Sequence, residues 1–341
     1  MTDFENIISF ENLYKAHRRA RLGKRHKAEV IQFEANLSEN LWSVHYDLKY
    51  GKYKVGGYHS FMIYDPKERE IQAIGYRDRV VQHSLCDNYL IPLLEKHLIY
   101  DNAACRKNKG TSFVIKRWRS FMRDHYRKHG TDGYFVKLDV SKYFPSIDHK
   151  ILKSKLERIV KDEKILNLLF SIIDSYNGEV GKGLPMGNQT SQCFALLYLD
   201  ELDRYIKETL RIKHYVRYMD DMLFIVENKD IAQNILNEVE KILNENNLEM
   251  NKKSQAISIK NGILFLGWRF YFGKNGEIVQ TVKKESRQRM IKHIKYLNYL
   301  EKCKGIYVNR GQILSSYKGY FENTKAYRIK GIVITYIKQK K

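Results

Sequence analysis

Three carboxylates stand where carboxylates are unfavourable. Asp220 and Asp221 are adjacent in YMDD (218–221), between the apolar β-forming runs RYM and MLFIV. Asp139 lies near the end of another apolar run, in YFVKLDVSKYFPSID (134–148). Like charges this close raise each other's pKa unless a cation neutralises them. An acid in an apolar strand destabilises unless it is paired or bound to metal. Taken singly, YMDD also fits a solvated surface turn, and Asp139 fits an edge acid paired with Lys137 or Lys142. Together the two motifs put three carboxylates on two strands. That set suffices for two divalent cations about 4 Å apart, which clamp the attacking and leaving oxygens in phosphoryl transfer. Mg²⁺ suits such a site, because it completes its shell with water and substrate phosphate.

Other elements must carry these acids. Strand-forming residues around Asp220 and Asp221 predict two short β runs over 214–226, with the acids in a tight turn whose unusual backbone angles Asp accepts well. Gly133–Val140 alternates into a strand ending near Asp139, and 151–160 returns to helical spacing. GKGLPMGNQTSQ (181–192) is a glycine-bearing loop running directly into a helical pattern. Glycine lets backbone approach a ligand closely, and Thr190 or Ser191 could cap the helix that follows. FALLYLDELDRYIKETL (194–210) predicts one long amphipathic helix, and 231–247 another. Residues 10–50 and 77–100 read as helices, 51–73 as a hairpin turning at Asp65-Pro66, and 263–272 as a strand or hairpin. After Gly276, Met290, Ile291, Ile294, Leu297 and Leu300 keep helical spacing, as do Ile313, Leu314, Tyr317, Tyr320 and Phe321. This predicts a small basic helical domain on an α+β body.

Composition narrows the partners. Lys and Arg number 61 against 39 Asp and Glu, a net charge of +22. A basic surface of this size usually meets a polyanion, most commonly nucleic acid. No apolar run is long enough to span a membrane, and the polar, acidic start MTDFENIISF does not read as a secretory signal. The cysteines Cys86, Cys105, Cys193 and Cys303 form no CxxC site and suit a reducing cytoplasm.

The three motifs, in this order, resemble the reverse transcriptase family, from about residue 10 to about 270. The resemblance implies an α+β right-hand polymerase fold, with N-terminal helices and fingers over 1–132, palm over 133–276 and helical thumb over 277–341. A fingers insertion would fall near 151–185. It implies Asp139 as the first palm carboxylate, Asp220 and Asp221 as the YxDD pair, and the Val140 carbonyl as a further metal contact. The ions would be two Mg²⁺, with Mn²⁺ as substitute. Phe144 matches the aromatic gate that excludes a ribose 2′-OH. Gly187 and Gln192 match the motif under the nascent base pair. Lys252 or Lys253 fits the lysine near the leaving pyrophosphate. Lys67, Arg69, Arg77 and Arg79 match the basic motif reaching a dNTP triphosphate, and Arg106 and Lys109 lie near template or triphosphate. Leu266 and Gly267, in FLGW, look like the hairpin that grips the primer end. Arg287, Arg289 and Lys292 would face the RNA/DNA duplex.

Within the family, GNQTSQ, RDRVVQHSLC, ACRKNKGT and FPSID look like the enzymes of diversity-generating retroelements, which copy a template RNA into cDNA with a small basic accessory protein. Met186 departs from the Ile, Leu or Val usual there. Related bacterial enzymes serve antiphage defence with a dedicated noncoding RNA. A catalytically silent RNA-binding scaffold would carry the same basic charge, but has no reason to keep buried like charges together.

Overall fold

The computed structural model describes residues 2–64, 68–176 and 178–305. The turn at Asp65-Pro66, Lys67 and the apolar series Ile313–Phe321 lie outside the described residues. In chain order come four helices, α1 (Asp3–Ile8), α2 (Phe10–Ala20), α3 (Ala28–Ala35) and α4 (Leu37–Lys49). A hairpin follows, β1 (Tyr58–Ile63) and β2 (Arg69–Ile74). Next are α5 (Tyr76–Leu85), α6 (Ile91–His97), α7 (Thr111–His129), β3 (Tyr134–Leu138), α8 (Tyr143–Ser146), α9 (His149–Ile159) and α10 (Glu163–Asp174). Then come α11 (Gln189–Tyr198), α12 (Asp200–Arg204), β4 (Tyr215–Tyr218), β5 (Asp221–Val226), α13 (Lys229–Glu245) and β6 (Gln255–Ser258). β7 (Ile263–Phe265), β8 (Trp268–Phe272), β9 (Ile278–Val282) and α14 (Lys284–Lys304) complete the described chain. No described helix is long and apolar enough to cross a membrane.

Two compact units form. The first takes in the described residues up to 114, with 138–222 and 236–254; the second takes in 115–137, 223–235 and the described residues from 255. This division does not follow chain order, since the segments that surround the acids interleave with the others.

In the first unit, Ile7, Leu13, Leu41, Val80, Val81, Leu85, Leu156 and Phe194 are buried on the inner faces of their helices. Local chemistry starts several helices. Asp148 Oδ1 accepts from the Lys150 and Ile151 amides at 2.8 and 3.1 Å, opening α9, and Asp162 opens α10 the same way. Such caps satisfy amides that have no partner within the helix. β1 and β2 pair antiparallel from Tyr58↔Ile74 to Ile63↔Arg69.

The second unit holds a core of Trp118, Met122, Phe135, Val136, Phe224, Phe265 and Phe270. The Trp118 and Phe135 rings lie 5.3 Å apart. β3 pairs antiparallel with β6, Tyr134 opposite Ser258 and Lys137 opposite Gln255. β7, β8 and β9 form a separate antiparallel sheet. The β7–β8 turn consists of Leu266 (φ +46°) and Gly267 (φ +85°), with Phe265 opposite Trp268. Two consecutive left-handed residues match the right-handed twist of the flanking strands.

Two local expectations differ. Residues 194–210 do not form one helix: α11 ends at Tyr198, Leu199 interrupts at φ −103°, and α12 passes into a π-helical turn over Tyr205–Thr209. The apolar spacing runs on through this break, so periodicity could not reveal it. On α14 only Ile294 and Leu297 of the expected apolar stripe are buried, while Met290, Ile291 and Leu300 are half-buried.

Candidate active site

The first unit brings Asp139 and Asp221 into electrostatic range of Asp220. Asp139 follows the last residue of β3, and its backbone is tied on both sides. Its amide donates to Ser254 Oγ at 3.1 Å, and its carbonyl accepts from the Asn251 amide at 2.8 Å. The next residues continue the pairing, with Val140 bridging Met250 and the Ser141 amide donating to the Glu249 carbonyl at 2.8 Å. The Asn251–Ser254 turn therefore wraps the backbone of Asp139. Lys252 lies in that turn, exposed, and the Lys253 amide donates to Asn251 Oδ1 at 3.0 Å.

Asp220 occupies the two-residue turn between β4 and β5, and Asp221 is the first residue of β5. The unusual backbone angle falls on Met219 (φ +57°) rather than on an aspartate. That corrects the expectation that Asp would absorb the strain. A non-glycine residue persists in the left-handed region when its surroundings over-determine it. Here the Met219 carbonyl is held by the side chain of Arg217 at 3.0 Å.

Burial pushes the Asp220 carboxyl up to about 6; its own backbone amide opposes the shift, the charges of Asp221 and Asp139 add to it, and Arg69 opposes it. Asp220 is thus a half-buried carboxylate in reach of two others, with one candidate arginine as a partial countercharge. Among the described residues, no three His, Cys, Asp or Glu side chains are arranged as a group that could hold a metal ion. Carboxylates are nonetheless the class of donor Mg²⁺ takes, through one or two of them with waters and substrate phosphates as its other ligands.

The remaining candidates spread around the first unit. Phe144 is half-buried in α8, and its carbonyl accepts from the Leu184 amide at 2.9 Å. Its neighbour Tyr143 is the buried one, donating its hydroxyl to the Ala195 carbonyl at 2.5 Å. Gly187 (φ +110°) has space only up to Ile71 of β2, 3.4 Å from where a Cβ would stand. Gly187 and Gln192 line a cavity of about 310 Å³ together with Arg79, Lys24 and His83. Thr190 and Ser191 lie inside α11 and do not cap it; Asn188 precedes the helix, and Thr190 Oγ1 donates to Gln82 Oε1 at 3.0 Å.

Several candidate cations already have partners. Arg77 donates to Asp47 at 2.5 Å, and Arg79 donates to the Ile74 carbonyl at 3.1 Å. Arg106 grips Glu95 through two nitrogens at 2.8 and 2.6 Å and also reaches the Ile99 and Asn102 carbonyls. Lys109 donates to the Tyr100 carbonyl at 2.6 Å. Burial and nearby Arg106 bring its ammonium down to about 8. Lys67 lies outside the described residues.

In the second unit, Leu266 and Gly267 form the β7–β8 turn. The Gly267 carbonyl accepts from the Lys283 amide at 3.0 Å, which anchors the start of α14. Arg287, Arg289 and Lys292 are exposed along that helix.

Sequence reasoning missed Arg217 and Asp203. Both side chains are fully buried and paired at 2.8 Å. DELDR falls within the stretch read as one long amphipathic helix, which does not mark Asp203 as buried. The available signal was Arg217 itself, because an arginine between buried strand positions requires a carboxylate partner.

A family model described as reverse transcriptase (RNA-dependent DNA polymerase) matches residues 67–270. Protein YkfC of Escherichia coli (strain K12) is 21% identical over 271 residues, covering 65% of this chain and 70% of YkfC. The putative COX1/OXI3 intron 2 protein of Saccharomyces cerevisiae is 22% identical over 264 residues, covering 56% of this chain and 29% of that protein. Apo telomerase from Candida tropicalis aligns with a TM-score of 0.51 at 15% identity, covering 69% of this chain and 52% of that one. The same organism's telomerase in complex with a TWJ fragment of telomeric RNA aligns at 0.52 and 15%, covering 76% and 52%. The chain therefore spans about half the length of these telomerase chains. The structural likeness shows a right-hand polymerase fold that mixes helices and strands. The family match covers more than half of the sequence and includes all three acids, so the chain belongs to the reverse transcriptase (RNA-dependent DNA polymerase) family.

Proposed function

We propose that this chain is an RNA-directed DNA polymerase that makes cDNA from a dedicated RNA template. The observation that carries the reading is the convergence of three acids from two β runs: Asp220, half-buried in the β4–β5 turn, lies within electrostatic range of Asp221 and of Asp139 at the end of β3, and burial with those like charges holds its carboxyl above the usual range. A structural role gives no reason to gather like charges in a half-buried turn, whereas a bound cation neutralises them. Two Mg²⁺ ions held by these carboxylates and the Val140 carbonyl would supply charge stabilisation at the attacking and leaving oxygens.

The chain's own groups do the positioning. Arg69, within electrostatic range of Asp220, faces the dNTP triphosphate, where arginine makes bidentate phosphate contacts. Arg77 and Arg79 support the same side. Phe144 presses on the sugar and excludes a 2′-OH. Gly187 and Gln192 lie under the nascent base pair, where the absence of a Cβ permits close approach. Lys252 sits in the turn that wraps Asp139 and meets the leaving pyrophosphate. Arg106 and Lys109 shape the side nearest the template. Leu266 and Gly267 grip the primer end, and the exposed cations of α14 hold the duplex.

The motifs GNQTSQ and ACRKNKGT support a template of the diversity-generating type, with a small basic accessory protein as partner. Met186, where Ile, Leu or Val is usual, departs from that type, and the second reading is an antiphage-defence enzyme copying a dedicated noncoding RNA. Primer extension with Mg²⁺ on poly(rA)/oligo(dT) tests the polymerase, and absence of incorporation there would favour a silent RNA-binding scaffold. RNA recovered with the purified protein separates the other two readings. A single structured noncoding RNA outside any repeat pair would favour defence.

A further inference from the structure

Arg217 lies two residues before the turn that carries Asp220, and its side chain has no exposure to solvent. All three nitrogens of its guanidinium have partners. Nε donates to both carboxylate oxygens of Asp203, at 2.8 and 2.9 Å. Nη2 donates to the Leu196 carbonyl at 2.9 Å and lies 2.8 Å from Asp203 Oδ2. Nη1 donates to the Met219 carbonyl at 3.0 Å. Asp203 is fully buried too, and it also accepts from the Tyr215 hydroxyl at 2.5 Å and from Asn102 Nδ2 at 3.3 Å.

We propose that Arg217 is a positioning residue for nucleotidyl transfer: clamped by Asp203, it holds the Met219 carbonyl and so sets where the Asp220 and Asp221 carboxylates point. The inference rests on the polymerase reading above. Three features carry it. Met219 takes the left-handed conformation (φ +57°) that a non-glycine residue resists, and a bond to its own carbonyl stabilises that conformation. The clamp comes from α11 and α12 as well as from β4, so the turn is referenced to the body of the unit rather than to its own hairpin. Finally, a hydrophobic pair of similar volume often serves stability as well as a buried ion pair. Stability alone therefore does not explain this pair, whereas the planar fork of arginine reaches an acid and two carbonyls at once. Lysine keeps the charge but gathers its donors at one point and cannot span these partners.

The test separates positioning from folding. Arg217→Lys should lower kcat on a primed RNA template on the order of a hundred-fold, the scale of an approximately 1 Å misplacement of a reacting group. Duplex affinity should stay within a few-fold of the parent, and the Mg²⁺ concentration at half-maximal rate should rise. Leu156→Ala, in the core of α9 and remote in role from the turn, serves as a destabilised control that should retain kcat and the Mg²⁺ midpoint. The double variant Arg217→Met with Asp203→Leu removes both charges. It should melt closer to the parent than Asp203→Leu alone, yet remain as slow as Arg217→Lys. Tyr215→Phe, which removes one bond to Asp203 and leaves the ion pair, should slow catalysis by a smaller factor without lowering duplex affinity. Parent-like kcat in Arg217→Lys, or recovery of kcat along with stability in the double variant, overturns the proposal and leaves the polymerase reading intact. No synthesis by the parent chain itself overturns that reading, and this inference with it.

Discussion

The turn that carries Asp220 and the helix that carries Arg287, Arg289 and Lys292 are both charged, and they are built in opposite ways. At the turn, a left-handed Met219, a fully buried arginine and a fully buried aspartate over-determine the backbone. Along α14, two of 21 residues are buried, and the cations stand exposed. The contrast follows from what each must hold. Phosphoryl transfer tolerates little misplacement of its ligands. A duplex backbone offers phosphates at a regular spacing, and binding to it draws mainly on charge density and counterion release. One region therefore depends on exact placement of few groups, and the other on the number of groups.

The largest test of that contrast is Asp220→Asn or Asp221→Asn. Each should reduce dNTP incorporation by roughly a thousand-fold or more, with the fold retained by circular dichroism and duplex affinity unchanged. Full activity in either variant would remove the catalytic half of the comparison. Reversing charge at Arg287, Arg289 and Lys292 together should act differently. Chemistry on a bound primer should persist, but products made during a single encounter under a heparin trap should shorten. The dependence of log affinity on log salt should flatten by up to about 3 if each residue meets one phosphate. Parent-length products would assign α14 to partner binding instead.

Phe144→Ala sharpens the site half further. Removing the ring should raise the efficiency of rNTP relative to dNTP incorporation by about tenfold, within the range for removing apolar bulk from a pocket. An unchanged ratio would place Phe144 in the packing of α8 and away from the sugar.

The smallest effect concerns stability. Asp220 is raised to about 6, above the ordinary carboxylate range, so the folded protein holds this proton more tightly than the unfolded chain does. The proton's contribution is complete below about pH 4 and is lost as pH rises through about 6. With divalent cations chelated, Asp220→Asn should therefore be more stable than the parent at pH 8. The gain should be about 2 kcal/mol, trimmed for the solvent that reaches a half-buried carboxylate. It should shrink toward zero at pH 4. Thermal melts across that range measure it, and a pH-independent difference would mean that burial and the neighbouring acids do not destabilise the Asp220 carboxylate.

Much of this was legible without coordinates. The apolar runs around Asp139 and YMDD, the glycine-bearing loop before α11 and the helical spacing of α14 all depend on patterns a few residues long. Local sterics and binary patterning dictate such patterns in any tertiary setting. The fates of individual charges were less legible. Arg77 and Arg106 look like free phosphate ligands in sequence, yet each has an acid as partner, Asp47 and Glu95 respectively. Those partners lie 30 and 11 residues away, beyond any local pattern.

Residue types and their order along the chain establish which groups could do the chemistry. They space three acids along two β-forming runs, in an order that identifies the family, and they load the C-terminal helix with cations. Only the tertiary structure decided what holds those acids in place. Asp203 lies beyond the break at Leu199, in a stretch whose spacing reads as one amphipathic helix, and it meets an arginine 14 residues away whose place in an apolar run calls for a partner without naming it. A buried pair of this kind forms when two segments exclude water from both groups at once, and that exclusion is a property of packing, which neither segment encodes alone.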